Sequence, residues 1–245
     1  MRGVRHVKLP HRSFSLLIFI HHIGGSLIED YGIDTWPQLL VFVAQKCQSS
    51  NPVDREVGLT LLKPLAGYLA ASSSDKNDNG VKNLLDICHS CLLDFSLDGK
   101  LSILALSVAS SVVAAVPSES EVVDIFSPLV LTIFRAFNNF YALFVQGNPS
   151  TNEAKLCVFL EILVEMAEEK PLLFCSQMGS LFNPIVALLS KSEGEAGSLP
   201  NSVKLLLVEF LVELAESCPK VIRKIRGSNR EVIQPVQSVK LKLTS

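Results

Sequence analysis

Charge is what this sequence has least of. Of its 245 residues, 19% are charged and 48% apolar, against about 25% charged in an average globular chain. Such a chain is not a disordered tail. It has ample material for a core, and its apolar surface must be covered by something other than a polar skin. Net charge is lacking too: 22 basic and 24 acidic side chains leave a formal charge of -2. No basic field is available for a phosphate backbone, so nucleic acid is not expected as a partner. Catalytic constellations are also missing. His6, His11, His21 and His22 crowd the beginning of the chain and only His89 lies beyond them, and no G-x-S-x-G, P-loop or H-E-x-x-H pattern occurs. Neither an enzymatic activity nor a cofactor is expected.

The six cysteines, Cys47, Cys88, Cys91, Cys157, Cys175 and Cys218, lie in apolar stretches and read as reduced core residues of a cytosolic or nuclear protein. Cys88, His89 and Cys91 form Cys-His-Ser-Cys, but no second pair at zinc spacing accompanies them, so core packing is expected and no metal. Two stretches invite a membrane reading. The basic residues 1–12 followed by Phe14 to Ile20 mimic a signal peptide. His21 and His22 then intrude, and no small-x-small cleavage pattern precedes Gly24. Leu101 to Ser118 is uncharged and near the length that spans a bilayer. Its five serines and one proline favour a buried helix, and no membrane association is expected.

What the chain has in abundance is helical periodicity. Alternation of period two never persists between paired turn signals, whereas the 3.6-residue period recurs throughout. There is also a repeat: Glu161 to Pro171 reads EILVEMAEEKP and Glu209 to Pro219 reads EFLVELAESCP, identical at seven of eleven positions. Each copy predicts a helix with glutamates at i, i+4 and i+7 on one face, an apolar face opposite, and a proline just past its end. A weaker third copy, Ser107 to Pro117, keeps the apolar residues and the proline but has no acidic face.

Around that unit the helices pair. Approximate units of two helices cover 34–71, 81–116, 119–169 and 171–217, preceded by a helix at about 13–29 without a partner. Units of about 40 to 50 residues are the period of HEAT-type solenoids; tetratricopeptide and ankyrin units are shorter. The expected fold class is therefore all-α, a HEAT-repeat (armadillo-like) right-handed α-solenoid of about four helical hairpins over 13–226. Repeats stacking on both sides of each hairpin would cover the apolar surface. Residues 1–12 match nothing in this scheme, and 227–245 read as a disordered tail.

Family likeness enters with these pairs. TWPQLLVFVAQKCQSSNPVDREVGLTLL resembles a repeat of the importin-beta (karyopherin-beta) transport receptors, in which a Trp-Pro-x-Leu-Leu helix, a polar turn and a second helix follow one another. DIFSPLVLTIFRAFNN, FLEILVEMAEEKP and LLLVEFLVELAESCPKVIRKI are similar to the importin-five and importin-four (importin beta-three) branch. Members are several times longer, so the chain reads as a partial receptor or a short form. The resemblance implies nuclear import through binding: protein cargo with a basic nuclear localisation signal, weak contacts to Phe-Gly nucleoporins, release by Ran-GTP, and residence in cytoplasm, nucleus and nuclear pore. The segment that contacts Ran most directly in the family lies N-terminal to the matched part, so Ran binding by this chain alone stays open. The alternative is a HEAT scaffold of another class, such as a phosphatase regulatory subunit or a coat adaptor.

The candidate binding residues are two acidic rows, Glu161, Glu165, Glu168 and Glu209, Glu213, Glu216. If second helices of successive hairpins lie side by side on a concave face, the rows share a groove suited to Lys and Arg side chains. A row of glutamates on an amphipathic helix can equally be a solvated face with no ligand. Trp36 is expected to pack on a neighbouring repeat. Phe126, Phe134, Phe137, Phe140 and Phe144 form a ridge expected to be mostly core, any left outside being suited to short apolar peptides.

Overall fold

A computed structural model describes residues 37–72, 80–117, 119–147, 149–191 and 197–219. The unmatched 1–12, the helix expected near 13–29, Trp36 and the tail 227–245 lie outside the described residues.

Prolines and turn residues set the helix boundaries. Helix α1 (Pro37–Cys47) and helix α2 (Pro52–Ser72) each open on proline, whose fixed φ and missing N–H suit the first turn. Between them, Asn51 Oδ1 accepts the Val53 N–H at 3.0 Å, relieving one of the orphan donors of the α2 terminus. Lys46 Nζ donates to Asp54 at 2.7 Å across the same joint. Helices α3 (Gly80–Leu92) and α4 (Lys100–Ala115) are joined by a turn in which Asp94 Oδ1 accepts the Ser96 N–H at 2.8 Å. Asp98 and Gly99 there take φ values of 55° and 81°, the left-handed region that glycine and aspartate tolerate best. A methyl on Gly99 would meet Phe140 Cε1 at 2.5 Å, so glycine is required for space as well as for conformation. Helices α5 (Glu119–Gln146) and α6 (Pro149–Glu169) follow, then α7 (Leu172–Cys175), α8 (Met178–Leu189) and α9 (Asn201–Ser217).

These helices stack as four hairpins in two layers. One layer is the row α2, α4, α6, α9, in which each helix packs on the next; the other runs α3, α5, α7. Within hairpins, α1 packs on α2, α3 on α4, α5 on α6, and α9 on both α7 and α8. All described elements are helices, and the architecture is the all-α repeat solenoid expected from the period.

Rings fill the seams between hairpins. Phe95, Phe140 and Phe159 meet with centroids 4.9 Å and 5.0 Å apart, fastening the α3–α4 turn to the third hairpin. Phe134, Phe174 and Phe210 form a second triad, with centroids 5.3 to 6.4 Å apart, that joins α5 to α7 and α9. Edge-on pairs of this kind contribute about 0.5–1.5 kcal/mol each beyond area burial. At the N-terminal ends of the α2, α4, α6, α9 row, polar contacts repeat from helix to helix. Lys100 pairs with Glu56 and Lys155 with Asp98, while Ser202 Oγ donates to Glu153 at 2.6 Å. Such exposed contacts add little stability; their consequence is register.

Two stretches depart from a regular helical pattern. The first helix of the fourth unit is not continuous from Pro171 to Lys191: it breaks at Ser176 and Gln177, where the Gln177 N–H donates to Phe174 O at 3.0 Å in a tight turn. Phe95 follows the helical spacing of α3 but lies beyond its end, because the helix stops at Leu92 and the ring is drawn off to Phe140.

Candidate functional site

The glutamate rows are built from the apolar faces opposite them. On α6, Leu160, Leu163, Val164 and Ala167 are buried; on α9, Leu207, Phe210, Leu211 and Leu214 are buried. Helical spacing then forces Glu161, Glu165 and Glu168 outward, and all three are exposed. Glu209 and Glu216 are exposed as well, and Glu213 is half-buried.

Whether the two rows meet depends on the relation of α6 to α9, which pack directly on one another. The Ser202–Glu153 hydrogen bond ties their N-terminal ends. At the other end, Cys218 caps α9 and is disulfide-bonded to Cys175, the last residue of α7, the short helix that follows α6, with Cα atoms 6.4 Å apart. With their N-terminal ends tied and the end of α9 held to the helix that follows α6, the two helices run in the same direction. Glu161 follows Glu153 by about two turns, as Glu209 follows Ser202, so the rows begin level.

Continuing the same layer, α4 packs on α6. Its residues aligned with Glu161, Glu165 and Glu168 in the repeat are Ser107, Ser111 and Ala114. Ser107 is buried, and the half-buried Ser111 donates its hydroxyl back along the helix to Ser107 O at 3.1 Å. The acidic character therefore stops at α6.

One feature of this face escaped the sequence reading. Val158 and Leu205, a turn before the first glutamate of each row, are exposed apolar residues at 41% and 51%. Their signal was apolar residues at positions in phase with the exposed stripe. Cys157 is half-buried nearby; burial above all pushes its thiol up, Glu153 and Glu161 push the same way, and a hydrogen bond with Ser202 opposes them.

The remaining candidates serve the core. Phe126, Phe134, Phe137 and Phe140 are buried and Phe144 is half-buried. Among the described residues of α5, the large apolar ones left exposed are the aliphatic Ile125, Leu131 and Val145. Cys88 and Cys91 are buried while His89 between them is exposed, so the three do not converge. Burial, helped by Cys91, pushes the Cys47 thiol up to about 12, and Cys88 is raised further by the same cause. Such thiols stay protonated and pack as small apolar groups. Among the described residues no group of three His, Cys, Asp or Glu side chains is placed to hold a metal ion. The expectation that all six cysteines are reduced is corrected by the Cys175–Cys218 bond. Leu101 to Val116 belongs to α4 and its end, which is largely buried in the stack. The described stretch long and apolar enough to cross a membrane is instead Val123–Gln146 of α5, half of which is buried inside the protein.

A family model described as "IPO5-like, TPR repeats" matches residues 19–184. No curated protein and no solved structure matches the chain. The match covers the first three hairpins and reaches into α8. Its descriptor uses the shorter repeat's name, whereas the hairpins here open at Pro37, Gly80, Glu119 and Leu172, a wider spacing than the roughly 34 residues of a tetratricopeptide unit. By that match the chain belongs to the IPO5-like TPR-repeat family.

Proposed function

We propose that this chain is part of an importin-type transport receptor and holds a basic protein segment against the glutamate rows of α6 and α9. The family is one of transport receptors and not of enzymes, so the work to be explained is recognition. The observation that supports the reading is the direct packing of α6 on α9 with their N-terminal ends tied, which sets the two rows, exposed but for the half-buried Glu213, side by side.

The dimensions suit an extended ligand. Carboxylates at i and i+4 lie about 6 Å apart along a helix, close to the roughly 6.8 Å between same-side residues of an extended chain. A Lys- or Arg-rich segment lying along the seam between α6 and α9 can thus meet successive glutamates from both sides. Exposed pairs contribute about 0.2–1 kcal/mol each, so affinity comes from several acting together and falls with added salt. Carriage past Phe-Gly nucleoporins, release by Ran-GTP and shuttling between cytoplasm and nucleus complete the proposal, on family membership. The nucleotide would belong to Ran.

The test is replacement of Glu161, Glu165, Glu209 and Glu213 together by Gln. Fluorescence anisotropy with a Lys/Arg-rich peptide should show binding weakened about tenfold at low salt and a flatter salt dependence. Unchanged affinity and unchanged salt dependence would overturn the reading.

A further inference from the structure

We propose that the Cys175–Cys218 bond is a redox-controlled staple that fastens the fourth hairpin. Cys175 ends the short helix α7, and Cys218 follows the last residue of α9, where its N–H donates to Leu214 O at 2.9 Å. Their Cα atoms, 6.4 Å apart, lie within the range that a disulfide bridges without backbone movement. The pairing is made by tertiary structure, since the two residues are separated by 43 positions. It encloses α8, the joint after it and α9.

The other thiols provide the contrast. Cys47, Cys88 and Cys91 are buried free thiols, raised by desolvation and therefore poor nucleophiles. Cys157 is a half-buried free thiol on α6. In the stapled pair, Cys218 is buried but Cys175 is half-exposed, which gives an exchange partner one sulfur to approach. The reaction is ordinary thiol–disulfide exchange with a low-molecular-weight disulfide such as oxidised glutathione. The Cys175 thiolate attacks one sulfur of the oxidant, breaking its S–S bond and releasing one glutathione thiol. The Cys218 thiolate then attacks the Cys175 sulfur of the mixed disulfide and releases the second. Two protein thiols are oxidised, one disulfide is reduced, and the two protons pass to the departing glutathione thiolates. Excess reduced glutathione runs the sequence backwards.

Closing so long a loop restricts the unfolded chain, which is the main source of disulfide stabilisation in the chain-entropy account. The staple also holds the C-terminal end of the α9 glutamate row to α7, the helix that follows the α6 row. That second consequence rests on the reading proposed above, whereas the staple itself does not.

The experiment uses the full chain incubated with oxidised glutathione or with dithiothreitol, then denatured, alkylated and weighed. The oxidised sample should carry four alkyl groups, on Cys47, Cys88, Cys91 and Cys157, and yield a peptide cross-linked through Cys175 and Cys218; the reduced sample should carry six. Reduction should lower Tm by roughly 5–10 °C. Cys175→Ser and Cys218→Ser should each melt with the reduced wild type and be indifferent to reductant. Six alkyl groups after oxidation, a cross-link through Cys157, or a Tm that reductant lowers equally in wild type and both variants would overturn the proposal. Basic-peptide binding by the two redox forms is measured separately. A failure of binding in both forms counts against the glutamate rows and leaves the thiol count and melting shift to decide the staple.

Discussion

Replacing Gly58 by alanine would place a methyl group 2.6 Å from the Cys47 backbone nitrogen, 2.8 Å from its sulfur and 2.9 Å from the Lys46 carbonyl carbon. Helix α2 approaches the end of α1 so closely there that only hydrogen fits. Normal contact needs about 3.5–4.0 Å, so the two helices would have to part by about 1 Å. Overpacking of this kind costs about 1–3 kcal/mol, and the upper part of that range applies, since two of the three atoms are backbone and cannot rotate away. Alanine returns about 1 kcal/mol of helix propensity, leaving a net destabilisation of about 1–2 kcal/mol. Gly67, in the same helix, is the internal control. A methyl there finds its nearest neighbours at 3.6 Å, Ser111 O, and 3.9 Å, Ala115 Cβ. It makes ordinary contacts, and Gly67→Ala should stabilise by about 0.5–1 kcal/mol. In a chain of this size, differential scanning calorimetry should show Gly58→Ala lowering Tm by roughly 3–6 °C and Gly67→Ala raising it by roughly 1–4 °C. A Gly58→Ala variant that melts above the wild type, or two shifts of the same sign, would refute the reasoning.

Phe210→Ala should cost about 3–5 kcal/mol in urea unfolding, because the buried ring packs on both Phe134 and Phe174 at the seam between the third and fourth hairpins; a loss under 1 kcal/mol would show that the triad is not what joins them. Acid should weaken the α3–α4 turn through Asp94. Burial pushes its carboxyl up, but hydrogen bonds from Ser96 and the neighbouring Arg55 outweigh this and hold it below the ordinary value. A depressed folded-state pKa contributes stability above the unfolded value of about 3.9, lost as pH falls through the folded value. Asp94→Asn should therefore be less stable than wild type at neutral pH and converge with it in acid, as read from urea midpoints against pH.

Much of the fold could be read locally. Pro37 and Pro52 open helices because a residue without N–H suits the first turn. Asp98 and Gly99 turn the chain because they tolerate positive φ. The outward position of Glu161, Glu165 and Glu168 follows from the apolar residues between them. Each of these statements needs only a few neighbouring residues. The break at Ser176 and Gln177 was less legible, since Leu172 to Leu189 keeps an apolar pattern on both sides of it.

By itself, then, the sequence determined helix against strand, the hairpin period and the face on which each glutamate stands, because propensity, capping and periodicity act within one or two turns. Only the tertiary structure decided that α6 and α9 run level, that Cys175 meets Cys218, that Phe95 leaves its helix for Phe140, and that Gly58 has no room for a methyl. Most of these contacts join residues forty or more positions apart, and the Gly58 contact joins two separate helices. They depend on the packing of helix against helix, which is set by the whole set of core side chains and is not written in any one segment.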